Sequence, residues 1–272
     1  RLSRNTEHWD TYLFYRAISP GYRADVGFVP RINRKWTTIY HGYKSFYEKE
    51  YLQEFSIGIK ADLTYNFDNK IKSRNLDFDI SIKTFGKTLI QYNYDINFLR
   101  NYLNIDFKNV GKSELTIMAF PNEDLSLMLK HVFGKEIAYN EEIPEIGKEN
   151  SIFFRANYKL GENINLMSSI NYARLRDLKE TKSFYDGYIS RFTFRYQFNN
   201  DLSIRLVSEY NKFNDTFLVQ PLFKWNPNPS TIFYIGGIQS SINDFNLDPE
   251  EFNPFLINRS QFFVKFQYLI GI

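Results

Sequence analysis

The chain has 272 residues, enough for one large domain or two small ones, and its 34 basic and 31 acidic side chains leave a formal charge of +3, too slight to argue for nucleic acid. Cysteine is absent, which excludes disulfides and thiolate metal sites. Mean hydropathy is −0.44 and no run nears the ~18 apolar residues of a membrane helix. Yet Tyr 20, Phe 27 and Trp 3 make 18% of the chain. A soluble fold would have to hide those rings in a core, whereas a membrane barrel spreads them over its lipid-facing surface and two interfacial girdles.

Alternation of apolar and polar residues is the main signal. It is already running at Arg1-Leu2-Ser3-Arg4, so either a signal peptide has been cleaved or, the preferred expectation, residues 1–272 are the C-terminal barrel region of a longer protein. Strands are predicted near 8–17, 22–31, 34–46, 53–67, 72–84, 87–98, 102–109, 113–120, 125–133, 151–160, 163–174, 184–198, 202–213, 216–225, 230–241 and 258–272. The clearest sets Phe55, Ile57, Ile59, Ala61, Leu63, Tyr65 and Phe67 on one face against Ser56, Gly58, Lys60, Asp62, Thr64 and Asn66. Leu76, Phe78, Ile80 and Ile82 oppose Asp77, Asp79, Ser81 and Lys83 in the same way. Farther on, Phe192, Phe194 and Tyr196 oppose Arg191, Thr193 and Arg195. The clear segments are about 10 to 14 residues long, where soluble strands average ~5–6 and tilted membrane strands need ~9–11. Pro30 and Pro221 fall inside predicted strands, where each removes a ladder donor.

Connection lengths alternate as well. Counted back from Ile272, long connections near 242–257, 175–183 and 134–150 fall on one side with Lys212–Asp215. Tight turns at 226–229, 199–201, 161–162 and 121–124 fall on the other. Bacterial barrels keep their periplasmic turns short and have an even strand number, and sixteen strands fit that rule. The expected fold class is therefore all-β: a transmembrane antiparallel β-barrel of about 16 strands, one domain over 1–272, or a part of a larger barrel.

Two segments carry a resemblance. Phe262, Val264, Phe266, Tyr268, Ile270 and Ile272 alternate with Phe263, Lys265, Gln267, Leu269 and Gly271. This resembles the C-terminal insertion signal of outer-membrane barrels, read by the barrel-assembly machinery, though the usual final Phe or Trp is replaced by Ile272. Asn5-Thr6-Glu7-His8-Trp9, followed by the run from Ser19 to Val29 and the Trp225-Asn226-Pro227 turn, looks like a family of uncharacterised outer-membrane proteins. In that family a carbohydrate-binding-like domain of the family-nine type precedes a large C-terminal barrel. The resemblance implies the cell outer membrane and a barrel architecture, and no reaction.

Catalytic chemistry finds little purchase. His8, His41 and His131 are far apart in sequence, and no serine stands in register with His41 on its strand. His131 falls on an apolar face with Leu127 and Leu129. The reading assigns no catalytic residue, metal site, cofactor or enzymatic activity. The charged alternate faces are the candidate site: Lys60, Asp62, Asp77, Asp79, Lys83 and Asp95 early in the chain, and Arg155, Arg191, Arg195, Arg205 and Lys265 later. An acidic-leaning early half and a basic-leaning late half would give a pore wall a transverse field; the alternative is salt bridges that fill the lumen.

Glu136, Glu141, Glu142, Glu145 and Glu149 are placed in one external loop, and Asp244, Asp248, Glu250 and Glu251 in another, where solvated charge is the plain reading. Trp36, Tyr40, Tyr172, Tyr210, Trp225 and Tyr268 are assigned to the interfacial girdles. A sugar-binding slide would need rings on the charged face, where few are expected. Partners follow from location: outer-membrane lipid and lipopolysaccharide, the assembly machinery and other outer-membrane proteins, with no nucleic acid. Function is expected to be a transport-type pore for small polar solutes, with carbohydrate one candidate. The other reading is a non-conducting subunit of an outer-membrane complex.

Overall fold

A computed structural model describes residues 1–23, 27, 29, 31–49, 51–242 and 256–269. Among these there is no α-helix, and the one helical element is a 3-10 turn at Phe85–Lys87. The strands are β1 (Leu2–Asn5), β2 (Trp9–Ile18), β3 (Arg34–Lys49), β4 (Leu52–Tyr65), β5 (Ile71–Thr84), β6 (Thr88–Tyr102), β7 (Ile105–Phe107) and β8 (Val110–Ala119). They continue as β9 (Leu125–Ile137), β10 (Ile146–Leu160), β11 (Ile164–Asp177), β12 (Ser183–Gln197), β13 (Leu202–Asn211), β14 (Thr216–Asn228), β15 (Thr231–Ile242) and β16 (Leu256–Tyr268). All sixteen belong to one antiparallel sheet whose neighbours follow chain order, with β7 beside β6 off the main path. The fold is all-β, as the alternation predicts.

Register keeps the two faces apart. Ile57 stands opposite Ile80, Ile59 opposite Phe78 and Ala61 opposite Leu76; the positions between pair Gly58 with Asp79 and Lys60 with Asp77. In β6 the same rows continue as Tyr92, Tyr94 and Ile96 against Asn93 and Asp95. In the later strands Phe192, Phe194 and Tyr196 meet Ser208, Leu206 and Ile204, while Arg191 meets Glu209 and Arg195 meets Arg205.

On several strands apolar side chains are exposed and polar ones buried. Ile57 and Ile59 are 44% and 40% exposed, while Thr64 of the same strand is 7% exposed. Ile39, Phe78, Ile80, Phe192, Leu206 and Ile235 are likewise exposed, and Thr38, Thr116 and Ser241 are buried. At these positions apolar side chains are exposed and small polar ones buried, while the apolar Leu99, Val132, Leu175 and Val207 are also buried.

Two compact units are distinguished: Arg1–Met118 with Lys130–Asn150 and Leu175–Phe184, and Ala119–Leu129 with Ser151–Arg174 and Tyr185–Ile272. The first holds a small apolar cluster of Phe107, Val110 and Ile137, packed by Tyr102 and Ile146. In the second, Pro221 faces Leu206 of β13, but the β14–β15 ladder skips Gln220 and Pro221 between the pairs Val219–Gln239 and Leu222–Gly236. The missing proline donor explains a gap there.

Several expectations need correction. The described residues of 22–31 are not in strand; 19–33 connects β2 to β3, which pair directly. β1, unforeseen, is instead the first strand. The strand expected at 102–109 is only β7. It prolongs β8, because β6 pairs with both, Arg100 with Phe107 and Asn97 with Val110. Asn109, at φ 53, makes the break between them. Among the described residues the sheet has the sixteen strands expected, fifteen on the main path with β7 beside β6. β9 and β10 run on to Ile137 and back from Ile146, and β11 to Asp177, so these connections are shorter than expected. β14 runs to Asn228, which leaves Pro229 and Ser230 as the turn. The apolar part of the 243–255 loop lies outside the described residues.

The β6–β7 turn is a residue-level test. Leu103 and Asn104 sit at φ 50 and φ 64, the two positive angles of a type I′ turn, and Leu103 is 65% exposed. Leucine there bears left-handed strain with no packing in return. Replacing Leu103-Asn104 by Asn-Gly should stabilise the chain by about 1–2 kcal/mol. Equilibrium urea unfolding in detergent reads this, and an unchanged midpoint would refute the turn assignment.

Candidate functional site

The charged face of β3–β8 is a connected network. Lys60 on β4 binds Asp77 on β5 at 2.7 Å and Asp62 on its own strand at 3.7 Å. The Thr38 hydroxyl of β3 donates to Asp62. Asp77 and Asp95 stand directly opposite each other on β5 and β6. Such an approach of like charges is unfavourable, and amides relieve it. Asn75 Nδ2 donates to Asp77 at 3.1 Å and to Asp95 at 3.0 Å, and Asn97 Nδ2 donates to Asp95 at 2.6 Å. Asp79 continues the same face beside the paired glycines Gly42 and Gly58. Lys83 falls there too, opposite Glu54.

Beyond β6, Lys112 of β8 pairs with Glu136 and lies 3.7 Å from Glu149. Lys130 pairs with Glu114 at 2.7 Å. Carboxylates outnumber amines on this face. Lys112, Glu114 and Lys130 were missed in sequence because 99–133 has weak alternation. Glu136 and Glu149 were assigned to a loop, but they sit in β9 and β10 and point their charge at Lys112. The residual loop acids have a partner of their own: Lys182 lies 2.7 Å from Glu141 and 3.4 Å from Glu145. The bond from Glu141 holds the Lys182 amine above the usual lysine range.

In the second unit the face is rich in arginine. Arg191 binds Glu209 at 3.2 Å. Arg195 and Arg205 oppose each other directly, with no carboxylate between them in register. Lys265 of β16 lies over the Tyr234 ring at 5.9 Å, and Arg155 of β10 over Phe153 at 5.1 Å. Phe262, Phe266 and Tyr268 share the other face of β16 and are all exposed; Ile270 and Ile272 lie outside the described residues. Asp244, Asp248, Glu250 and Glu251 also lie outside them.

The histidines have modest partners. His8 Nδ1 meets the Lys44 carbonyl at 3.0 Å, His41 Nδ1 meets the Thr11 hydroxyl at 2.8 Å, and His131 Nε2 meets Asn150 Oδ1 at 2.9 Å. The described residues contain no group of three or more His, Asp or Glu arranged to hold a metal ion.

The aromatic residues correct the expectation most. Register places Trp36 and Tyr40 on the charged face, across from Thr64 and Lys60, with Tyr12 and Phe14 beside them. Trp36 and Tyr40 are therefore not girdle rings. Trp225 does lie on the apolar face, stacked on Phe233 at 5.3 Å. Tyr172 and Tyr210 donate their hydroxyls to Asp186 and Asp215.

No known family's sequence profile matches the chain, and no curated protein matches it.

Two outcomes test this geometry. Lys60→Met leaves Asp62 and Asp77 without their cation and should cost about 1–2 kcal/mol, less than a fully buried pair because Lys60 is partly exposed. Adding Asp77→Asn should recover part of that loss in a double-mutant cycle, whereas additive losses would deny the coupling. At the β13–β14 connection, the Lys212 ammonium at 2.7 Å and then the Tyr210 hydroxyl hold the Asp215 carboxyl below the usual carboxylate range. A depressed value stabilises the folded form above the ordinary aspartate pKa and ceases to as pH falls through the lowered one. Asp215→Asn should therefore increase tryptic cleavage after Lys212 at neutral pH, and equal cleavage would contradict the anchoring.

Proposed function

We propose that this chain forms the wall of a transmembrane β-barrel in the cell outer membrane and lines a pore for small polar solutes. The observation that carries the reading is the reversed burial of β4: exposed Ile57 and Ile59 alternate with Lys60, Asp62 and buried Thr64. In water, so much exposed apolar surface is unfavourable by roughly 25 cal/mol per Å². In hydrocarbon the same surface is at home, and the polar face needs water or ion pairs. β16 pairs with β15, and all thirteen of its residues are exposed. The barrel reading requires a strand on its other edge, since hydrocarbon does not tolerate an unpaired one. Lipid and lipopolysaccharide are then the partners of the apolar face. The β16 pattern of Phe262, Phe266 and Tyr268 is what the assembly machinery would read, and membership of the uncharacterised outer-membrane family belongs to the same proposal.

One observation favours a second reading. Lys60–Asp77, Lys112–Glu136 and Lys130–Glu114 neutralise much of the charged face, as they would in a filled, non-conducting subunit of an outer-membrane complex.

Planar-bilayer recording separates the two. The pore reading expects discrete conductance steps from the folded chain. A correctly folded chain that inserts and stays silent would overturn it in favour of the filled barrel.

A further inference from the structure

Four rings lie on the charged face of β2 and β3, where few rings were expected. Tyr12 pairs with Tyr40 across the strands, and their rings are nearly parallel, 5.3 Å apart at 22°. One step along, Phe14 and Trp36 are 5.8 Å apart. Tyr40 is held by a gap in the sheet. Gly42 and Gly58 are cross-strand partners, and the Tyr40 phenol lies over both. A Cβ on Gly58 would come within 2.5 Å of the Tyr40 hydroxyl, and one on Gly42 would also collide with it. Two glycines in register inside long strands weaken those strands; here they let a ring lie flat on the sheet. The result is a fixed aromatic platform on the face that otherwise carries charge.

Beside the platform is a hollow of about 430 Å³, bordered by Asp10, Lys44, Glu54, Asp79, Gln91 and Asn93 as well as Tyr40. Carboxylates only accept hydrogen bonds, Lys44 only donates, and the two amides do both. A bare cation needs acceptors alone. A ligand rich in hydroxyls, each both donor and acceptor, needs this mixture. A pyranose ring also has an apolar C–H face that fits the face of an aromatic ring.

We propose that Tyr40, flanked by Tyr12 and the hollow beside it, is a binding site for a neutral saccharide, with a sugar ring stacked on Tyr40 and its hydroxyls bonded by Asp79, Asn93 and Lys44. Phe14 and Trp36 extend the platform along the strands toward the β2–β3 connection. As the substrate class of the pore, this rests on the pore reading; as a binding site, it does not.

The test uses the full chain in detergent and in planar bilayers, with maltohexaose as the probe. Titration calorimetry in detergent should give saturable binding that Tyr40→Leu weakens at least tenfold and Tyr40→Phe leaves within about threefold, since phenylalanine keeps the ring. Should Tyr40→Leu not fold, Tyr12→Leu and Asn93→Ala supply the same reading, each with a several-fold loss. In bilayers, the sugar should interrupt the current of the native chain and not that of Tyr40→Leu. Conductance without sugar binding or block overturns the saccharide site and leaves the pore. Sugar binding by a silent chain, lost in Tyr40→Leu, upholds the site and removes the pore. Equal binding by native chain and Tyr40→Leu overturns the stacking role.

Discussion

The constraint on which everything else depends is cross-strand register. Lys60 meets Asp77 only because Ile59 meets Phe78 and Ala61 meets Leu76 on the opposite face. A slip of one residue would set Lys60 against Phe78 or Leu76 and carry every charge of β5 to the apolar side. Both faces therefore enforce the same pairing. Apolar residues lose their shared face if the register moves, and carboxylates lose their amines and amides. The glycine pair Gly42–Gly58 joins this arrangement, since a slip would also put a side chain under Tyr40.

The charged face shows how a sheet can hold opposed like charges. Asp77 and Asp95 would repel if left alone, but Asn75 and Asn97 donate into the gap and Lys60 closes one end. In the second unit Arg195 and Arg205 face each other without that relief. The first face is well supplied with internal partners, whereas on the second the register pairs Arg191 with Glu209 and sets Arg195 against Arg205.

Much of this was legible in the sequence, for a physical reason. Where one face of a strand is wholly apolar and the other wholly polar, as at 55–67 and 76–83, period two fixes both the strand and its orientation. β4, β5, β6, β12 and β13 were read that way, and each is a strand of the sheet. β3 failed the same test. Trp36, Thr38 and Tyr40 alternate with Thr37, Ile39 and His41, so both faces are mixed, and only pairing with Lys60 and Asp62 assigns them. Residues 22–31 looked like a strand because they mix apolar and polar residues between turns, but their described residues lie in the connection between the directly paired β2 and β3. β1 was not set apart as a strand because its four residues are too short a run, although the alternation already runs there. Glu136 and Glu149 were lost to a loop because a run of acids looks solvated until Lys112 is placed between them.

The central claim is that the apolar face of β4 meets lipid and its charged face meets water. The chain has no cysteine of its own, so single cysteines can be placed freely at positions 57 to 62. Reconstituted in vesicles and treated with a small charged thiol reagent, cysteines replacing Lys60 and Asp62 should react, and those replacing Ile57, Ile59 and Ala61 should be protected. Reaction at all five positions, or protection at Lys60 and Asp62 with reaction at Ile57 and Ile59, would contradict the account.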